Sequence, residues 1–272
     1  MIGLGSMGMG IAHSLRRAGF DVVGCDANRV TVERFVREGG RGASDLASAA
    51  ANVDVLICVV VNAAQTEAVL FGENGVAASM PEGAVFISSA TMDPHASLRL
   101  ATRLEAGGRL YLDAPISGGA ARAADGTLTV LASGAHAAFV KARPALEAMA
   151  AKVHDLGSEV GLGSAFKMIN QLLAGVHIAA AGEAIAFAAK QGLDLRKVYE
   201  VITGSAGNSW MFENRIPHVL DGDYAPRSAV DIFVKDLGHC PGHGASVAIS
   251  SAAGCDGPAG VLDGIGCRYG PR

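Results

Sequence analysis

Basic runs are missing from this 272-residue chain, in which 22 lysines and arginines face 26 acidic residues for a net charge of −4 and a pI near 6.0. Counterion release from phosphates has little to work with at that balance, which argues against nucleic acid as a partner. Also missing is an uninterrupted apolar run of the roughly 18 residues a spanning helix needs. The best candidate, residues 172–189, is broken by His177 and Glu183. No basic segment precedes an apolar one at the N-terminus, so no signal peptide is read. The expectation is a cytoplasmic protein with no membrane partner. The five cysteines (Cys25, Cys58, Cys240, Cys255, Cys267) form no CxxC pair. Cys25 and Cys58 lie in apolar, strand-like runs, which suits a reducing compartment. No His, Cys, Asp or Glu set has metal-ligand spacing, and no metal is expected. The 36 glycines follow no triplet period, which excludes a collagen-like chain.

Half the residues are apolar and 18% are charged, enough to build one large or two modest domains. Up to about Gly157, short β-branched runs alternate with amphipathic segments of helical length. That alternation predicts a mostly parallel sheet with crossover helices. Strands are read at 2–4, 21–25, 53–60, 84–87, 109–114, 127–131 and 152–156, and helices at 7–18, 29–37, 94–106 and 137–149. Only one or two residues precede Gly3 where a central strand spans about five, so a few residues ahead of Met1 are expected to be missing and the pairing of that strand weakened. Beyond Gly163 the strand pattern stops. Residues 165–191 read as one long alanine-rich helix without a clean polar face, opening an all-helical domain. The expected division is 1–158, 159–238 and a tail, 239–272, with neither a helical nor a strand period. The codons permitted for that tail, read one nucleotide out of register, encode a string with helical apolar spacing. A shift of reading frame at about Gly238 is therefore expected.

Three clusters carry chemistry. Gly3-Leu4-Gly5-Ser6-Met7-Gly8 sits between a strand and a helix, with Asp26 ending the next strand. Its glycines suit a tight turn, close approach of backbone to a pyrophosphate and close helix–sheet packing, with phosphates at the helix N-terminus. A carboxylate at Asp26 accepts hydrogen bonds from a ribose diol and repels a 2′-phosphate, which favours NAD over NADP. The second cluster, Asp113-Ala114-Pro115-Ile116-Ser117-Gly118-Gly119, turns over two glycines whose amides, with the Ser117 hydroxyl, suit a carboxylate ligand. By residue type alone it reads equally as an ordinary Gly-Gly turn. The third, Gly161-Leu162-Gly163-Ser164-Ala165-Phe166-Lys167-Met168-Ile169-Asn170-Gln171, puts Lys167 and Asn170 on one helix face. A lysine in so apolar a helix is either a snorkelling surface residue or a desolvated proton carrier. His177 reads as a core histidine, and Trp210 as a packing residue.

In this order the three clusters resemble the β-hydroxyacid dehydrogenase family, which includes 3-hydroxyisobutyrate, tartronate-semialdehyde and 6-phosphogluconate dehydrogenases. The resemblance covers nearly all of residues 2–238. It implies a Rossmann-type doubly wound, mostly parallel sheet followed by an all-helical domain like the C-terminal domain of 6-phosphogluconate dehydrogenase. It further implies NAD-dependent oxidation of a small hydroxy acid by a homodimer or homotetramer. Carried over, Gly3, Leu4, Gly5, Ser6, Met7 and Gly8 hold the cofactor with Asp26, Val61, Asn62, Thr91 and Lys235. Ser117, Gly118, Gly119 and Asn170 bind substrate, and Lys167 is the catalytic acid/base. The family usually has a second asparagine where this chain has Gln171. Longer strings at 61–65, 171–180, 206–215 and 228–237 narrow the resemblance to a branch acting on small sugar acids. A rival of another class is a non-catalytic dinucleotide-binding protein, against which the presence of Lys167 argues.

Overall fold

The computed structural model describes residues 1–223 and Asp236; Lys235 and the tail 239–272 lie outside the described residues. The first elements are α1 (Ser6–Arg17), β1 (Val23–Gly24), α2 (Arg29–Arg37), β2 (Arg41–Gly42), α3 (Leu46–Ala50), β3 (Val55–Cys58), α4 (Ala63–Phe71) and β4 (Val85–Ser88). Next come α5 (Pro94–Glu105), β5 (Leu110–Asp113), β6 (Ile116–Ser117), α6 (Gly119–Asp125), β7 (Leu128–Ala132), α7 (His136–Met149) and β8 (Ala150–Asp155). Three helices follow: α8 (Leu162–Lys190), α9 (Leu195–Thr203) and α10 (Trp210–Leu220). Most of the helices start at a residue that supplies its own cap. Asn28, Asp45, Asn62, Asp93, Asp194 and Ser209 each accept an N–H from the first turn that follows, a contact worth about 1 kcal/mol.

The pairs β1–β2, β3–β4 and β4–β5 are all parallel. Ile2 bridges Cys25 on one side and Cys58 on the other, so the chain's opening segment is the central strand, paired through one residue. Counting that segment as the first strand gives the order third, second, first, fourth, fifth, sixth, the doubly wound Rossmann arrangement. Past β5 the sheet departs from all-parallel pairing, because β6 runs antiparallel to β7, which then pairs parallel with β8.

Alternation along each strand feeds two cores. Val55, Ile57, Val85, Ile87 and Leu112 pack on one face against α1 and α7. Leu56, Cys58, Phe86 and Tyr111 pack on the other against α3, α4 and α5. Strands buried on both faces are what a parallel sheet with crossover helices requires.

By its contacts the chain divides into two compact units, Met1–Ile169 and Asn170–Arg272, with the boundary inside α8. In the second unit, Ala181 and Ile185 of α8 pack with Phe212 and Ile216 of α10, and the Tyr199 and Phe212 rings stack at 5.9 Å. By length and composition α8, at 29 residues, could cross a membrane. Ala181 and Ile185 pack inside the helical layer, while 22% of the apolar window of α8 is buried.

Candidate active site

The turn after Ile2 closes on itself. Gly3 has φ +84°, and a Cβ at Gly8 would strike the Gly3 carbonyl oxygen, so neither position tolerates a side chain. Gly5 differs, since a Cβ there would meet nothing within 4 Å. It caps α1 without a side-chain hydrogen bond, so the first N–H groups of α1 face that open space. The Asp26 carboxylate accepts the Leu4 N–H at 2.6 Å and the Asn28 N–H at 2.8 Å, which fixes it beside the turn. A groove of about 570 Å³ runs from Leu4, Gly5 and Ser6 past His13 to Arg34 and Arg37. An open backbone cradle, helix amides and a fixed carboxylate fit the pyrophosphate and ribose of a dinucleotide.

Other cofactor expectations fall around the same end of the sheet. Val61 follows β3 and donates its N–H to Gln65 Oε1 at 2.8 Å. Asn62 uses its carboxamide oxygen to cap α4, accepting the Gln65 N–H at 2.9 Å. Thr91 is half-buried between β4 and α5.

The Ser-Gly-Gly corner joins β6 to α6. Gly118, at φ +136°, caps α6 without a side-chain bond, and Ser117, Gly118 and Gly119 are all half-buried. This corner is tied to the dinucleotide cradle through Gly10 of α1, where a Cβ would lie 2.6 Å from the Ala124 backbone nitrogen of α6. The two helices touch backbone to backbone there, and Ser14 Oγ donates to the Ala123 and Ala124 carbonyls at 3.0 and 3.1 Å. Nothing in a Gly-x-Gly-x-x-Gly reading assigns Gly10 that role, although its spacing of two beyond Gly8 was a visible signal.

Lys167 lies in the second turn of α8 and is 6% exposed, which removes the reading of a solvated surface lysine. Ser164, Lys167 and Gln171, at i, i+3 and i+7, are all buried on one helix face. The start of α8 is held by Asp113, a residue the sequence singled out only as part of a string. Its carboxylate accepts the Gly161 N–H at 3.2 Å, the Ser164 N–H at 2.8 Å and the Ser164 hydroxyl at 2.8 Å. Burial pushes the Asp113 carboxyl above the usual carboxylate range, against the pull of these donors.

In the second unit, Asn170 donates Nδ2 to Gln171 Oε1 at 2.9 Å, and Gln171 donates Nε2 to Asp236 Oδ2 at 2.6 Å. This chain fixes the Asn170 amide so that its Oδ1 is the acceptor it presents. Gln171, in the place of the family's second asparagine, therefore works as a support for Asn170. Among the described residues there is no cluster of three metal-ligating side chains.

A doubly wound sheet with a dinucleotide cradle at its switch point, followed by a helix bearing a buried lysine, defines a nicotinamide-dinucleotide-dependent hydroxyacid dehydrogenase. Residues 1–157 match the NAD binding domain of 6-phosphogluconate dehydrogenase. Residues 161–254 match the NAD-binding model of NADP-dependent 3-hydroxyisobutyrate dehydrogenase. The chain belongs to the β-hydroxyacid dehydrogenase family, of the 3-hydroxyisobutyrate dehydrogenase type. It is similar to the L-threonate dehydrogenase of Cupriavidus necator, at 56% identity over 88% of this chain and 80% of that one. The L-threonate dehydrogenase of Haemophilus influenzae is 49% identical over 92% of this chain and 86% of its own. A crystal structure of 3-hydroxyisobutyrate dehydrogenase from Salmonella typhimurium superposes with a TM-score of 0.85 and 46% identity, covering 93% and 92% of the two chains.

Proposed function

We propose that this enzyme oxidises L-threonate to 2-dehydro-L-erythronate with NAD as the hydride acceptor and Lys167 as the general base. The bound nicotinamide supplies the electron sink; the chain supplies position and proton transfer. Lys167 Nζ takes the proton of the substrate hydroxyl in oxidation and returns it in reduction. The Ser117 hydroxyl and the amides of Gly118 and Gly119 grip the substrate carboxylate. Asn170 Oδ1 accepts from a substrate hydroxyl and orients it. Gly3 to Gly8 cradle the cofactor phosphates. Asp26 accepts from the adenosine ribose and disfavours a 2′-phosphate. Holding the reacting groups in place supplies much of the rate in such a reaction.

The observation that carries this reading is the burial of Lys167 in a helix whose start is tied to the strand leading into the Ser-Gly-Gly corner. The substrate is supported by the similarity to L-threonate dehydrogenases at 49–56% identity. Replacing Lys167 by alanine is expected to cut turnover by at least about a hundredfold while NAD binding persists. Near-normal turnover would remove Lys167 from the chemistry. A second reading is the same machinery acting on 3-hydroxyisobutyrate or tartronate semialdehyde, and the name of the Salmonella typhimurium relative favours the first of these. Initial rates on a panel of three- and four-carbon hydroxy acids, each with NAD and NADP, separate the two. As for assembly, exposed Phe166, Ile169, Leu173 and Val176 form an apolar row along α8 and support a homodimer or homotetramer, testable by light scattering.

A further inference from the structure

The helices α2, α3, α4, α5, α9 and α10 are capped by the residue next to them in sequence, whereas α8, which carries Lys167, is capped from the sheet. Asp113 at the end of β5 takes the N–H groups of Gly161 and Ser164 and the Ser164 hydroxyl. Ser133, which bridges Asp113 across the sheet, takes the Gly163 N–H at 3.0 Å. The N–H groups of Gly161, Gly163 and Ser164 are thereby consumed by two buried side chains that are themselves fixed in strand backbone. Gly163 seats directly on that backbone, where a Cβ would stand 2.7 Å from the Asp113 carbonyl oxygen.

We propose that Asp113, assisted by Ser133 and Ser164, is the positioning residue of the reaction: it sets the axial height and rotation of α8 and so the placement of Lys167. The inference rests on the proposed role of Lys167. Ser164 and Lys167 are three residues apart on the same buried face, so an error in where Asp113 holds Ser164 passes to Lys167 within one turn. The same strand end runs on through Ala114 and Pro115 to Ser117, so one segment locates both the proposed base and the corner that grips the acid. A local cap would satisfy the same N–H groups but would fix α8 only to itself. Nor can α8 carry such a cap, because Gly161 holds φ +104° and a Cβ there would stand 3.0 Å from the Pro94 carbonyl oxygen, so the acceptor has to come from the sheet. A carboxyl whose two oxygens accept three donors from one helix start resists rotation of that helix.

Three measurements on Asp113→Asn, made beside the parent chain, test this: kcat and KM for the hydroxy acid, the dissociation constant of the dinucleotide, and amide exchange at residues 161–167. The amide of asparagine keeps the shape of the carboxyl but cannot accept from all three donors. Expected are a fall in kcat of tenfold to about a hundredfold, KM and cofactor binding within about threefold, and exchange at 161–167 accelerated by about tenfold or more relative to 175–185. Ser164→Ala, which deletes one donor and is the variant to read if Asp113→Asn does not fold, should show the same pattern with a fall of about threefold to tenfold. A purely structural role would lower the melting temperature and leave kcat of the folded enzyme unchanged, and that result overturns the proposal. Unchanged exchange at 161–167 also overturns it. A parent chain that turns over no hydroxy acid of the panel would instead defeat the reading of function, and the exchange measurement would still decide whether Asp113 holds the helix.

Discussion

Burial sets what individual side chains can do here, and it does so differently for chemically similar groups. Cys58 is fully enclosed between Ile2 and β4, and burial pushes its thiol up to about 12. A thiol so placed has almost no thiolate at neutral pH and is inert. Iodoacetamide is expected to leave Cys58 unlabelled in the native protein and to label it once the chain is unfolded, which mass spectrometry of the Cys58 peptide reads directly. Lys167 is also buried, yet it belongs to a helix start lined with donors and acceptors. Among the glycines, Gly5 opens on free space while Gly8 presses on the Gly3 carbonyl. Gly8→Ala is accordingly expected to cost roughly 1–3 kcal/mol of stability by overpacking, and to weaken dinucleotide binding, as read by chemical denaturation and by cofactor titration.

At the scale of elements, α8 shows what short-range patterns reveal and what they hide. Its length and alanine-rich character were legible because they are local: no strand period and no proline interrupt residues 165–191. Its anchoring was not, because the partners that hold it lie 48 and 51 residues upstream and belong to a strand. The anchor also carries a cost. Since burial raises the Asp113 carboxyl, the folded chain binds a proton at this site more tightly than the unfolded chain does. Between the ordinary carboxylate value and the raised one, the native state holds more protons, so stability from this group falls as pH rises through that window. Urea midpoints of the parent and Asp113→Asn should therefore differ more in the parent's favour near about pH 5 than near about pH 8.

For the whole molecule, the two-faced sheet could be read because its strands alternate with helices and its apolar residues alternate between faces. Val55 and Leu56, or Phe86 and Ile87, go to opposite cores as a period of two demands. The strand at residues 41–42 and the antiparallel β6 escaped notice, for each is two residues long and too short to show any period. Of the candidate site, the glycine turn, Asp26, the Ser-Gly-Gly corner and Lys167 were visible as residue types in order. The groups that lock them together were not, since Gly10, Ser133 and Ser164 are small residues whose importance lies in what approaches them.

The bare meeting of α1 and α6 at Gly10 reaches beyond packing. With no side chain between the two backbones, the glycine turn and the Ser-Gly-Gly corner, the proposed seats of cofactor and acid, are joined directly through α1 and α6. On the proposed roles, side chains around the corner are the ones to exchange when the acid is to be changed and the dinucleotide kept. A methyl group inserted at Gly10 would pry both out of alignment together.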